Sequence, residues 1–583
     1  MHSEDIVFLK NHYDKYSNSM LVPLSLEAYL SSNNFKLNNL IFDWAFVKGT
    51  SSSDFHNYSK KINDLILSQE NYFININISL FSLVQLICYI KNIISFCDYL
   101  NQKNKILSVI IPVNDNYSIA WGGVNTPWIL QIVFAFKLKH NIKFISLKHQ
   151  KRIQRYFVPL VFLLKIMRFI ISNIKKGKVK LLSLSLPNGD YSALYDGWGG
   201  DLEKTFSLEK TINELDTNKY NCLHIFYKWQ NKNYKFMERF SSVYQFISGS
   251  QNLIKIESSF NPKCLKYVYI TFKQLKLLTK KTKLDSNYLI KFLLFPFTYI
   301  SLIEADRYKI IAKNYFSNTK LNTYVSCDGS SRLYRAKMNY AKSKGIKTIS
   351  VPHGYDLFTE PIGYYLGDKI YTGYGKRKDL VGISGYEFDR IKIKVNRGPK
   401  ILNKKKMGKI LFLFSDTHIR HFDYHPKEFM FFVDLIEYVS ISIKRSIELK
   451  FHPNLVNDSS YKTINTYLNK KFKGQTNISI NYELKAESEY KDSAIMFSTN
   501  VVSSAMVFAT FHGVPVYYLK TKWSSVNNYF SLVNSLDNRN SILIDSIPNG
   551  ARIILSLIKS EKEFQGKSLN SFINYQFSNS SIN

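Results

Sequence analysis

Short apolar runs alternate with longer segments of helical period along this chain, most clearly toward its C-terminus. There, Lys409-Ile410-Leu411-Phe412-Leu413-Phe414 reads as a strand, 429–445 as a helix and Ile447-Glu448-Leu449-Lys450-Phe451 as a second strand. A strand over 477–482 follows, and another over 494–499 runs through Val501-Val502-Ser503-Ser504 into a helix closed by Gly513-Val514-Pro515. Strands separated by helical patterns imply a parallel sheet with crossover connections. The basic, polar stretch 397–406 reads as a linker.

The central third has the same grammar. A strand over 322–327 leads through the turn Asp328-Gly329-Ser330-Ser331 into a helix over 332–344, which Gly345 stops. A strand over 346–351 then ends in Pro352-His353-Gly354, and strands are expected at 181–186 and 222–226. Before them, a strand over 105–113, a helix over 128–139 and a strand over 143–147 form either a third α/β piece or part of the second. The fold class expected is α/β, divided into an accessory N-terminal α/β region (1–178), a middle lobe (179–398) and a C-terminal lobe (399–583). A chain of 583 residues is too long for one core.

Composition narrows the classes. Hydrophobic residues make up 45% and charged residues 21%, which suits globular domains rather than disorder. Five cysteines (Cys88, Cys97, Cys222, Cys264, Cys327) lack C-x-x-C spacing, so neither a disulfide framework nor a structural zinc site is expected. The start Met1-His2-Ser3-Glu4-Asp5 lacks the basic and apolar parts of a secretory signal, which makes a cytoplasmic location the expectation. A formal charge of +35 is what a Lys-, Asn- and Ile-rich composition bias produces, and it also favours polyanionic partners. Two apolar segments, 157–171 and 288–303, are flanked by lysines. The first is charged inside and the second is shorter than about 18 apolar residues, so neither reads as a span. Docking on an anionic membrane surface and burial as a core helix both remain open for the first.

The candidate chemistry lies at strand ends. His452-Pro453 follows a buried-looking strand, and proline suits the first turn of a helix. Ser503 and Ser504 open the next helix, whose free N–H groups suit an anion. Ligands of open α/β sheets sit at this edge. Ser415, in Ser415-Asp416-Thr417-His418, follows the first C-terminal strand and is expected to line a phosphate site, with Glu483 near the nucleoside. Each residue also has a plain reading: a capping histidine at 452, a turn aspartate at 328, a turn histidine at 353, and loop polarity at 415 and 483. His425-Pro426 repeats the dipeptide, and there it reads as a helix start.

Together, Asp328-Gly329, His452-Pro453 and Ser503-Ser504 resemble the motifs of GT-B glycosyltransferases of bacterial surface polysaccharides, the CMP-sugar-dependent sialyl-, polysialyl- and Kdo transferases. The resemblance covers about residues 320–520 as short motifs in matching order. It implies two Rossmann-like lobes around a cleft, with His452, Pro453, Ser503 and Ser504 on the nucleotide and Asp328 as acid/base. Cys327 departs from the pattern, because the family carries a second acidic residue there. His353-Gly354 resembles instead the His-Gly motif of CDP-glycerol and CDP-ribitol transferases, which implies a base at His353.

No Asp-x-Asp, Walker A or dinucleotide-binding glycine run occurs, so metal-independent transfer without a further cofactor is expected. The leading expectation is transfer of a CMP-activated acidic sugar (sialic-, pseudaminic- or Kdo-like) to a glycan or lipid-linked glycan of a capsule or O-antigen, by a peripheral protein on the inner face of the plasma membrane. A CDP-polyol phosphotransferase is the alternative. A basic nucleic-acid binder and a non-catalytic assembly partner are lesser ones, and no nucleic-acid partner is expected.

Overall fold

The computed structural model describes residues 178–196, 221–226, 244–248, 253–259, 307–326, 332–350, 367–372, 387–390, 408–414, 426–451, 455–456, 461–483, 493–499, 504–522, 541–559 and 566–571, with four short strands before them and residues 26, 29, 30 and 171. Those strands are β1 (Ser108–Ile111), β2 (Tyr117–Ile119), β3 (Val124–Thr126) and β4 (Lys143–Ser146). β1 pairs with β4 in parallel, and β2 pairs with β3 as an antiparallel ribbon. The parallel pair matches the α/β reading of this region.

The chain then builds β5 (Lys178–Leu184), β6 (Gly189–Asp196), β7 (Cys222–Phe226), β8 (Tyr244–Ser248) and β9 (Leu253–Ser259). Next come β10 (Thr319–Ser326), α1 (Arg332–Ser343), β11 (Lys347–Ser350), β12 (Lys369–Thr372) and β13 (Glu387–Arg390). β5 and β9 form an antiparallel ribbon of their own. The other strands form a seven-stranded sheet in the order β13-β12-β11-β10-β6-β7-β8, parallel at every pairing. The strand expected at 181–186 is therefore not the first of this sheet; β6 is, and its sequence Gly-Asp-Tyr-Ser-Ala-Leu-Tyr-Asp carries no β-branched residue. Gly345 stops α1 as expected, at φ 72°, a conformation that favours glycine.

The C-terminal lobe contains β14 (Lys409–Phe414), α2 (Pro426–Ser442), β15 (Ile447–Phe451), α3 (Tyr461–Lys471) and β16 (Ile478–Asn481). It continues with β17 (Ser493–Thr499), α4 (Ser504–Phe511), β18 (Val516–Lys520), β19 (Ile542–Leu543) and α5 (Ile547–Ile558). Its six strands pair in parallel in the order β16-β15-β14-β17-β18-β19. The fold is thus α/β with two doubly wound, Rossmann-like sheets.

Helix α2 starts at Pro426, as the His425-Pro426 reading expects, and it ends at Ser442 rather than at 445. The Asn477 amide explains the stop: it donates to the carbonyls of Ser440 and Ile443, each at 2.9 Å, and so satisfies groups the helix leaves open.

One face of the second sheet packs an aromatic core. Phe414 stacks on Phe451 at 4.9 Å between centroids, and Phe412 stacks on Phe497 at 5.0 Å, which joins β15, β14 and β17. Such pairs contribute about 0.5–1.5 kcal/mol each beyond the area they bury. Helices α2 and α5 cover this face, and they approach closely at Gly550, where a Cβ would lie 2.7 Å from a methyl of Ile544 and 3.0 Å from Leu435. Leu26, Tyr29 and Leu30 join the same core, far in sequence from every other member. Part of the expected accessory region therefore completes the C-terminal lobe. Leu30→Ala is expected to destabilise the chain by about 3 kcal/mol, read as an earlier midpoint in denaturant melts followed by tryptophan fluorescence.

Candidate functional site

Each sheet reverses its strand order once, and a crevice opens at the C-terminal edge of such a reversal. In the first sheet the reversal falls between β6 and β10, whose last residues, Asp196 and Ser326, are register partners. In the second it falls between β14 and β17. There Leu413 pairs with Ser498, and the buried Thr499 hydroxyl donates to the Leu413 carbonyl at 3.1 Å. The two strands at this reversal are thus tied by a side-chain hydrogen bond as well as by the sheet.

The expected site residues fall along these two edges in sequence. Asp328 comes two residues after β10 and His353 three after β11; both lie outside the described residues. So do Ser415, which follows β14 directly, His452 and Pro453, which follow β15, and Ser503, which precedes α4. Ser504 is the first residue of α4, after β17 and thus beside the second reversal. Glu483 is described: it is exposed, two residues past β16, and its N–H donates to Asn481 Oδ1 at 2.7 Å. The parallel register brings the C-terminal ends of β16, β15, β14 and β17 to one edge; Glu483 follows the first of these strands and Ser504 the last.

Sequence reasoning missed the polar cluster at the first reversal. Asp196 is buried, and its Oδ2 accepts from Lys337 Nζ at 2.5 Å, Tyr315 Oη at 2.8 Å and Tyr324 Oη at 3.0 Å. The Lys337 ammonium also lies 3.7 Å from the centre of the Tyr315 ring. Burial pushes the Asp196 carboxyl up, but the Lys337 charge and the bonds from Lys337, Tyr315 and Tyr324 outweigh it and hold the pKa below its ordinary value. The carboxylate is therefore charged near neutrality, on the end of the strand that borders the crevice. One signal was available: Asp196 opens Asp196-Gly197-Trp198-Gly199-Gly200, a glycine-rich run in the sequence. Lys337 left none, because a lysine in a helix reads as a solvated one.

His224 on β7 stacks on Tyr195 at 5.1 Å between ring centres. Burial pushes its imidazole down to about 3, against the pull of the Asp196 charge, so it is neutral at physiological pH.

The second edge has its own buried charges. On β15, Glu448 accepts from Lys409 Nζ at 3.2 Å and from Asn481 Nδ2 at 3.2 Å. Lys450, 4% exposed, donates to the Phe451 carbonyl at 2.8 Å and to the Glu483 carbonyl. It thereby ties the ends of β15 and β16 together.

Among the described residues no group of His, Cys, Asp or Glu is placed to hold a metal ion, and no helix is long and apolar enough to cross a membrane. The apolar segments 157–171 and 288–303 lie outside the described residues except for Ile171, which is helical and exposed.

No family model and no curated protein matches the chain. Solved structures similar to it include a UDP-glucosyltransferase from Polygonum tinctorium, at 11% identity over 67% of this chain and 94% of that one, with a TM-score of 0.35. A UDP-GlcNAc 2-epimerase from Methanocaldococcus jannaschii is 10% identical over 66% of this chain and 100% of that one, with a TM-score of 0.35. A glycosyltransferase from Rickettsia africae is 11% identical over 67% and 95%, with a TM-score of 0.33. Likeness this loose carries no argument about the chemistry of this chain.

Two outcomes follow from the buried groups. Asp196→Asn or Lys337→Met alone leaves an uncompensated buried charge and is expected to cost about 3–5 kcal/mol. The double variant is expected to lose clearly less than the sum, as a double-mutant cycle of denaturant melts would show. His224 stabilises the folded state fully above its unfolded pKa of 6.5, and that contribution fades as pH falls toward about 3, because only the unfolded chain takes the proton. At pH 5 the loss is expected to be about 2 kcal/mol, visible as a steeper fall in stability from pH 7 to 5 in the parent chain than in His224→Phe.

Proposed function

We propose that this chain is a glycosyltransferase of GT-B type whose C-terminal lobe holds a nucleotide-linked sugar at the β14/β17 reversal. The observation that carries the reading is the strand order of the second sheet. It brings the C-terminal ends of β14, β15 and β17 to one edge beside an order reversal, and Ser415, His452 and Ser504 follow those strands in sequence. An edge of that kind suits a phosphate, with N–H groups at the start of α4 and an imidazole after β15 as donors.

In the proposed reaction a hydroxyl of the acceptor glycan attacks the anomeric carbon of the sugar. The new C–O bond forms as the bond from that carbon to the phosphate oxygen breaks. The hydroxyl proton passes to Asp328, and the departing nucleotide phosphate is stabilised by His452 and by the hydroxyls and helix N–H groups of Ser503 and Ser504. The donor of this reading is CMP-linked and acidic, which suits a chain of charge +35. The acceptor is a glycan or lipid-linked glycan of the bacterial surface, reached by a chain resting on the anionic inner face of the plasma membrane. No metal takes part.

A thermal-shift panel of CMP, CDP, UDP, GDP and ADP tests the nucleotide. A ligand at one hundred times its Kd stabilises by about 2.7 kcal/mol, so cytidine nucleotides are expected to raise Tm, and a response to UDP or ADP alone would overturn the donor. Turnover of CMP-sialate or CMP-Kdo is expected to fall about a hundredfold or more in His452→Ala. Turnover of CDP-glycerol instead would favour the polyol phosphotransferase reading, with His353 as the base.

A further inference from the structure

Helix α2 ends in two exposed apolar side chains: Tyr438 is 51% exposed and Ile441 79%. Helical spacing puts Ile441 on the face of Glu437 and Asp434, one and two turns further along. Those two carboxylates pair with Lys471 of α3 at 2.6 and 2.9 Å, so this face of α2 lies against the end of α3. The chain leaving α3 closes on the same end of α2: the Ser440 hydroxyl bonds Gln475 Oε1 at 2.7 Å, and the Asn477 amide reaches the carbonyls of Ser440 and Ile443. Four cations stand around it: Lys444 and Arg445 just past α2, Lys470 in the last turn of α3, and Lys473 in the turn that follows. Lys444, Lys470 and Lys473 are exposed, and none of the four has a carboxylate partner among the described residues. This is the N-terminal edge of the sheet, where Ser446 accepts from the Ile410 N–H at 2.9 Å and Asn477 from the Ile447 N–H at 2.8 Å. It lies opposite the edge of the candidate site.

We infer that this end of the C-terminal lobe docks on an anionic lipid bilayer, with Ile441 and Tyr438 entering the headgroup layer and Lys444, Arg445, Lys470 and Lys473 meeting lipid phosphates. The inference rests on the membrane-peripheral part of the proposed function and names the surface that carries it. Two helix C-termini meet here, and their dipoles favour nearby cations. That does not account for an aliphatic side chain exposed among them. A lipid surface suits both, because it offers an anionic layer with an apolar one beneath it. A nucleic acid would meet the cations and leave Ile441 without a partner. A second copy of this chain would bring the same cations face to face, which like charge opposes. Docking by this edge leaves the opposite edge of the sheet free for substrate.

The test is co-sedimentation of the full chain with vesicles of phosphatidylcholine, alone or with about one-third phosphatidylserine. The parent is expected to bind the second kind only, and less as salt rises. Ile441→Ser is expected to weaken that binding about tenfold. Lys470→Gln combined with Lys473→Gln is expected to weaken it about twentyfold, at about fivefold for each cation removed. All three side chains lie on the surface, so the variants are expected to melt as the parent does. Parent-like vesicle binding by both variants overturns this surface and leaves the peripheral reading intact. Weakening in the lysine variant alone, in a parent that also binds a random oligonucleotide, marks a general polyanion site and overturns the lipid assignment. A parent that binds neither vesicle overturns this surface and the peripheral reading together, while a rise in its Tm with CMP leaves the donor reading standing.

Discussion

An all-parallel sheet cannot be closed by tight hairpins, so every connection must cross one of its faces. That constraint organises both lobes. It requires helices on the sheet, buries the strands on both sides, and forces the strand order to reverse where the second half of the crossovers starts back from the first strand. In the C-terminal lobe β14 is that first strand, flanked by β15 and β17. The rings of Phe412, Phe414, Phe451 and Phe497 pack across these three strands on one face. Residues that follow such strands start from rigid positions, which a binding site needs.

Both sheets also bury a cation near the edge where the order reverses, and they satisfy it differently. Lys337 meets a carboxylate, Asp196, with two tyrosine hydroxyls completing the shell. Lys450 donates to the backbone carbonyls of Phe451, at the end of β15, and of Glu483, two residues past β16. The first arrangement is neutral overall and fixes β6 against α1 and the helical segment 307–315. The second ties the end of β15 to the chain just past β16 through carbonyls. The lobes thus share a topology, and each holds a buried lysine through hydrogen bonds of a different kind.

Much of this was legible because the signals were local. The runs at 410–414 and 494–497 are apolar on both faces, as a buried strand requires, and 447–451 alternates apolar with charged positions at the strand period; all three lie in strands. Gly345 and Pro426 mark helix ends through backbone restrictions that act within a residue or two. The central strand β6 was missed because its burial comes from β7 and β10 on either side, not from its own composition. Asp196 and Lys337 were missed for the same reason: they are 141 residues apart, and neither is unusual until the other is beside it.

Taken alone, the amino-acid sequence determined the α/β class, the alternation of strand and helix, and the polar residues that follow apolar strands, because these depend on period and on neighbours a few positions away. Tertiary structure decided the order of strands, and with it which strand ends share an edge and where the order reverses. It also decided that Leu26, Tyr29 and Leu30 complete a core built from residues beyond 400, and that Lys337 and Lys450 lie inside. Those outcomes depend on contacts between distant segments, and burial of a charge is set by the partners that surround it rather than by the residues beside it in the chain.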